Sequence, residues 1–439
     1  MWFRMWRYAE LALIAGALSA QTPPLSGTFF LRGGSIHTIS GPVIENGSIL
    51  VRDGKIVGLG KNLSAPEGVP VIDIQGEQVY PGMIDSASTI GLEKSTEQGA
   101  PDSRESGLFN PQLDPAAVVN PANEQIPASR GNGVTSAMEV PQGDLLSGEL
   151  SLIHLDGSVN DSMTVAPATA IHLRFPAIQT TVIPPHEPEG DDDEPTTAVE
   201  EKVIPYSEAK KAYDEKMKEL NAFFDAARRY RQAKNAKATG LKADRRYEAM
   251  LPVLEGKEPL FVTAVREREI RDAIRFADRE KIRIVLADAY EAYKVLPLIK
   301  ARGIPVVLGP TLSLPLNRDD PYDRSYTTPA DLYKAGIKFS IGTFSAKSTR
   351  NLPYQAAAAV PFGLPHDEAY KAISLNAAEI FGLGKRLGSI DEGKMADLIV
   401  TDGDPLETTT QIKMVFIDGK PMDLNTRQKQ LYEKYLNRP

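Results

Sequence analysis

Chemistry needs lone pairs, protons and nucleophiles, and this chain offers few of them. It has five His and no Cys in 439 residues, so thiolate catalysis, disulfides and Cys-ligated zinc are excluded. The histidines are scattered. His37 lies in a strand-like N-terminal stretch, His154 in "LSLIHLDG", His172 in "TAIHLRFP", His186 in an acidic run and His366 in "GLPHDEA". No His-x-His or His-Glu-x-x-His spacing occurs, and the plainer reading of each is a satisfied structural histidine. Asp85, Glu139 and Asp288 each fall near the end of a strand-like run. If those ends meet, three carboxylates can hold an oxygen-preferring ion such as Mg²⁺ or Ca²⁺. The plainer reading is backbone capping for Asp85 and solvated or ion-paired positions for Glu139 and Asp288. There is no Gly-x-Ser-x-Gly elbow, and Gly131–Gly133 precedes a strand instead of opening a helix, so serine-hydrolase and dinucleotide chemistry are not supported.

The elements that would position these residues follow from periodicity. Residues 28–79 alternate aliphatic and polar residues, with Asn46-Gly47 and Asp53-Gly54 as hairpin turns, which predicts a small antiparallel sheet. From 81 to 385, short β-branched runs ("GVTSAMEV", "PLFVTAV", "IRIVLAD", "IPVVLGP", "IKFSIGTF") alternate with amphipathic helices ("EREIRDAIRFADRE", "EAYKVLPLIKARG"). Repeated βα units favour a parallel barrel. An insertion at 184–250 opens with an acidic, Pro-rich loop (184–201). A long charged helix follows, with an apolar stripe at Tyr206, Ala209, Tyr213, Met217, Leu220, Phe224 and Ala227. That stripe reads most simply as barrel-facing; its specialised alternative is a partner-docking surface. Strand patterns return with turns at Glu392-Gly393, Asp402-Gly403 and Asp418-Gly419, and a helix at 425–439 closes the chain. The expected organisation is an α/β protein: a (β/α)8 TIM-type barrel at 81–385 plus a β-sandwich composed of 26–80 and 386–423.

Bulk properties bound the function. Apolar residues make up 42% of the chain, which permits a large core, and the net charge of −8 disfavours nucleic acid. Residues 1–20 pair Arg4 and Arg7 with an apolar run, Leu11 to Leu18, and a small-residue site near Ser19 and Ala20. This predicts a secretory signal peptide, hence export to the periplasm or outside the cell, with no membrane span after its removal.

Four segments together resemble the amidohydrolase superfamily, most nearly its imidazolonepropionase-like exported members. They are "GGSIHTISGPVIENGSILVRDGKIVGLG", "VYPGMID", "GVTSAMEVPQG" and "SLNAAEIFGLGKRLGSIDEGKMADLIVTDGDPL". The resemblance implies hydrolysis of non-peptide C–N bonds by zinc or another divalent metal at the C-terminal mouth of the barrel. It also implies where the metal ligands should be. The strand-one Asp-x-His-x-His reads Asp85, Ala87, Thr89 here. The strand-five His position is Thr263, the strand-six stretch "IRIVLADAYEAY" holds no His, and the strand-eight Asp position is Phe344. A closed zinc site is worth on the order of 10 kcal/mol or more, and Ala, Thr, Thr and Phe forfeit nearly all of it. No cofactor is therefore expected. Three readings follow: a degenerate member acting as a noncatalytic subunit beside an intact relative or a further copy of itself, or as a small-molecule binder; an active hydrolase rebuilt from Asp85, Glu139 and Asp288 with His154 or His172; or a docking module using the inserted helix.

Overall fold

The computed structural model describes residues 27–92, 107–182, 202–436 and 438. The expected signal peptide, the acidic loop 184–201 and His186 lie outside the described residues.

Five strands open the described chain: β1 (Phe29–Ile36), β2 (Ile44–Arg52), β3 (Lys55–Gly60), β4 (Val71–Asp73) and β5 (Gln78–Pro81). After the barrel, the chain returns as β16 (Leu398–Thr401), β17 (Ile412–Ile417) and β18 (Lys420–Pro421). The two ends join where β16 runs antiparallel to β5, pairing Leu398 with Pro81 and Val400 with Val79. One continuous sheet results, in the order β18-β17-β16-β5-β1-β2-β3, with β4 beside the first half of β1. Phe29, Leu31, Ile49, Val79, Leu398 and Phe416 form its core. Asp53 and Gly54 both take positive φ and turn β2 into β3; Asp418 and Gly419 do the same between β17 and β18. Asn46-Gly47 is not a hairpin turn. It lies inside β2, where a Cβ on Gly47 would meet Ile36 Cδ1 at 2.6 Å, so the glycine serves a close strand approach. Asp402-Gly403 is no two-residue turn either: it begins a longer connection, held where the Gln411 N–H donates to Asp402 Oδ1 at 2.7 Å.

The barrel strands are β6 (Met83–Ser88), β7 (Val134–Glu139), β8 (Leu146–His154), β9 (Thr164–Arg174), β12 (Leu260–Thr263), β13 (Ile284–Ala287), β14 (Val306–Leu308) and β15 (Phe339–Ile341), adjacent in that order. A two-residue pair, β10 (Thr181–Val182) and β11 (Lys202–Val203), lies apart from them. The cylinder closes where the Phe344 N–H donates to the Ala87 carbonyl at 2.7 Å. Amphipathic helices cover the outside. Helix Glu267–Glu280 buries Ile270, Ala273, Ile274 and Ala277 at three- and four-residue steps and ends in a left-handed Lys281. Ile84, Met138, Leu150, Phe261, Val285 and Val307 fill the lumen, so it is a packed core and not a channel.

The expected βα alternation fails in one place. β8 runs antiparallel to both β7 and β9, making a meander. Only residues 140–145 and 155–163 link these strands, too few for the dozen or more that a parallel crossover needs. The reversal matters for chemistry, because it puts the end of β8 at the base of the barrel and the end of β9 at the mouth.

The long helix Tyr206–Asn235 packs on the barrel exterior. Ala209, Leu220, Phe223, Phe224, Ala227 and Tyr230 are buried. Phe224 meets the Phe276 ring edge-on at 5.1 Å, and the Tyr213 hydroxyl donates to Asp272 at 3.1 Å. Its apolar stripe is occupied within the chain, apart from Tyr206, which is exposed.

Candidate functional site at the barrel mouth

The C-terminal ends of the barrel strands surround an open cavity of about 890 Å³, with His172, Thr263, Asp288, Phe344, Arg174 and Arg266 in its wall. A second cavity of about 390 Å³ adjoins it and shares Asp288, Val265 and Phe344. Loops at the mouth of a barrel are where this architecture places ligands.

Each metal-ligand position expected from the resemblance has another occupation. Ala87 packs in the lumen, and its carbonyl closes the barrel. The Thr89 hydroxyl accepts from the Ala346 N–H at 3.2 Å. The Thr263 hydroxyl lies 2.9 Å from His172 Nε2. The Phe344 ring lies 6.5 Å from that of Phe261, and Phe344 holds a left-handed backbone at φ 53. Among the described residues no group of three or more His, Asp or Glu is placed to hold a metal ion. The donors present do not fit the family's divalent-metal site.

The carboxylates separate into two places. Asp85 is fully buried at the barrel seam. Its Oδ1 accepts from the Thr343 N–H at 2.9 Å and the Ala87 N–H at 3.3 Å, while its Oδ2 accepts from the Thr343 hydroxyl at 2.5 Å. Burial pushes its pKa up to about 6, against the pull of those hydrogen bonds. Glu139 is also fully buried, and neither carboxylate oxygen has a hydrogen-bond partner. Burial, then the nearby Asp85 charge, raises its pKa well above the usual range. Neither lines the mouth cavity. Asp288 does, and the charged groups acting on it are Arg174 and Glu269. The expected convergence of Asp85, Glu139 and Asp288 therefore does not occur: strands β6 and β7 are neighbours, but β13 stands across the barrel from them.

The two strand histidines also part company. His172 lies near the mouth end of β9, two residues before its last residue, Arg174. Its Nδ1 must donate to the Pro141 carbonyl at 2.9 Å, which leaves Nε2 to accept from Thr263. Burial lowers its pKa to about 4, so the ring is neutral. His154 ends β8 at the base. There its Nε2 meets Asp397 Oδ2 at 3.1 Å, tying barrel to sheet, so it cannot join a rebuilt mouth site. His37 stacks on Tyr80 at 4.0 Å and bonds Gln78, and His366 pairs with Asp404; both are away from the mouth. Arg174, Arg266 and Glu269 were not singled out from sequence. Their only signal is position: Arg174 is the last residue of β9, Arg266 follows β12, and Glu269 lies in the first turn of the helix that comes next.

Comparison with known proteins gives the family. The Amidohydrolase family model matches residues 267–422. An amidohydrolase structure from Thermotoga maritima MSB8 superposes with a TM-score of 0.76 at 25% identity, covering 90% of this chain and 99% of that one. A 5-methylthioadenosine/S-adenosylhomocysteine deaminase of Acetivibrio thermocellus is 30% identical over 118 residues, 24% of this chain and 26% of its own. A dihydroorotase of Citrifermentans bemidjiense is 42% identical over 55 residues, 12% of this chain and 13% of its own. The chain thus spans about a quarter or less of the length of these curated relatives. With the fold shared along nearly its whole described length and the family model matched through the last barrel units into the sheet, the chain belongs to the amidohydrolase superfamily.

Proposed function

We propose that this protein is a metal-independent member of its superfamily that binds a small molecule at the barrel mouth without hydrolysing it. One observation carries the reading: the four positions that should supply metal donors are built into the protein's own packing and hydrogen bonding. Ala87 and Phe344 have no lone pair to offer. Thr89 and Thr263 hydroxyls are engaged by Ala346 and His172. What remains is a cavity large enough for a metabolite-sized ligand. The docking reading is less favoured, because the inserted helix uses its apolar face on the barrel.

The test is elemental analysis of purified full-length protein after growth in zinc-supplemented medium, paired with thermal unfolding with and without a strong chelator. Far less than one metal ion per chain and an unchanged melting temperature are expected. One tightly held ion per chain, with chelator-induced destabilisation, would overturn the proposal.

A further inference from the structure

We propose that the mouth cavity binds a small zwitterion of the α-amino-acid class with an apolar side chain, its ammonium group seated on the Asp288 carboxylate. This rests on the small-molecule reading above.

Asp288 follows β13 in a left-handed conformation at φ 58, and its N–H donates to the Val307 carbonyl at 2.9 Å. Left-handed backbone at a non-glycine residue is strained, and it persists where the surroundings enforce it. Here the strain aims the carboxylate into the cavity. Gly309 makes room for it, since a Cβ at that position would lie 2.2 Å from Asp288 Oδ1. Among the described residues no hydrogen bond reaches the Asp288 carboxylate. Burial pushes its pKa up to about 6, with Arg174 opposing and Glu269 adding to the shift. A half-buried acid without a donor is the complement of a ligand ammonium.

The other charges around the cavity define the rest of the ligand. Glu269 is turned back onto the start of its own helix, its Oε2 accepting from the Val265 N–H at 2.9 Å and the Arg266 N–H at 3.3 Å. His172 is neutral. Arg174 donates to Gln142 at 3.3 Å and Arg266 to Asn317 at 2.8 Å; a guanidinium has five donors, so each retains capacity for a carboxylate. A simple anion would meet Asp288, and a divalent cation would meet two guanidinium groups and find no third donor. A molecule with both charges meets neither objection. Asp288 lies on the wall shared with the smaller cavity, which Leu308, Leu314 and Leu316 make apolar. An ammonium placed there directs a side chain into that space and a carboxylate toward the arginines.

The test is isothermal titration of the full-length protein with L-leucine, with metal content measured on the same preparation. Saturable binding of one leucine per chain is expected. N-acetyl-L-leucine, which lacks the ammonium, and leucine amide, which lacks the carboxylate, should each bind at least tenfold more weakly, as should glycine. Asp288→Asn keeps a residue that tolerates left-handed φ and should abolish leucine binding with an unchanged melting profile. Arg174→Gln should weaken leucine but not leucine amide. If Asp288→Asn misfolds, Gly309→Ala, which crowds the carboxylate, is the second variant and should weaken leucine tenfold. No saturable leucine binding by metal-free protein overturns this inference alone. Equal binding of N-acetyl-L-leucine or of leucine amide also overturns it. A stoichiometric metal ion overturns the small-molecule reading beneath it, whatever leucine does.

Discussion

The two ends of the barrel hold one buried histidine each, and they treat it in opposite ways. At the base, His154 faces Asp397, whose other oxygen accepts from the Asp418 N–H at 2.8 Å. Burial disfavours both charges, yet each partner outweighs it: His154 is raised and Asp397 lowered from their ordinary values. At the mouth, His172 is held neutral by burial and by the Arg174 charge, against the pull of its bond to the Pro141 carbonyl, while the acid nearby, Asp288, is left without a partner. At the base the paired histidine and acid join barrel to sheet. Where an ionisable group faces a cavity unpaired, it is available to something from solution. This architecture places ligands at the mouth, and it is there that the proposed small-molecule site lies.

The largest effect should come from breaking the base. His154→Leu leaves Asp397 buried without its cation and should cost about 3–5 kcal/mol in urea unfolding. Adding Asp397→Asn should recover part of that loss. The pH dependence has a definite sign. A raised His pKa gives stability that is full below its unfolded value of about 6.5 and is lost as pH rises through the folded value. A lowered Asp pKa gives stability present above about 3.8 and lost as pH falls through the folded value. The gap between wild type and variant should thus be widest near pH 4–6.5 and shrink above it. A loss under about 1 kcal/mol at pH 6 would show that the two ends do not differ as claimed.

A middle effect is expected at the mouth. Phe344→Ala removes a ring packed against the lumen and should cost about 2–3 kcal/mol, below the full core value because the side chain is only partly buried. Phe344→Gly loses the same ring but relieves the left-handed strain, so it should be about 1 kcal/mol more stable than the Ala variant by the same urea measurement. If Ala and Gly behave alike, the backbone there is not strained. If neither destabilises, the ring does not replace a lost metal site as packing.

Much of this contrast was legible in the sequence, and the reasons are specific. The resemblance implied which positions to inspect, and at Ala87, Thr89, Thr263 and Phe344 residue type then gave the expectation of a site without the family's metal donors before any geometry. Helix 267–280 was legible because its apolar residues keep one period. The β8 reversal was legible in principle, from links too short for a crossover, but apolar strands look alike in either direction. That reversal is what sends His154 to the base. The separation of Asp288 from Asp85 and Glu139 was not legible, because it depends on which strands become neighbours across the cylinder. Nor was the cavity's charge balance, assembled from the last residue of β9 and from residues after β12 and β13. Asn46-Gly47 misled because the same dipeptide suits a turn and a tight strand approach.

The smallest effect tests whether unpaired always means available. Glu139 is unpaired too, but it is fully buried and does not line the cavity. By the logic above it should be a residual cost, not a ligand contact. Its pKa is raised in the fold, so the folded chain keeps a proton that the unfolded chain releases above about pH 4.5, and stability falls as pH rises from there. Glu139→Leu, similar in volume and uncharged, should remove that slope and gain about 1 kcal/mol at pH 8 while matching wild type near pH 4. Leucine affinity should not move, because Glu139 does not line the cavity. A variant destabilised at every pH would mean that Glu139 has a partner in solution, and that sealed carboxylates in this barrel are also sites.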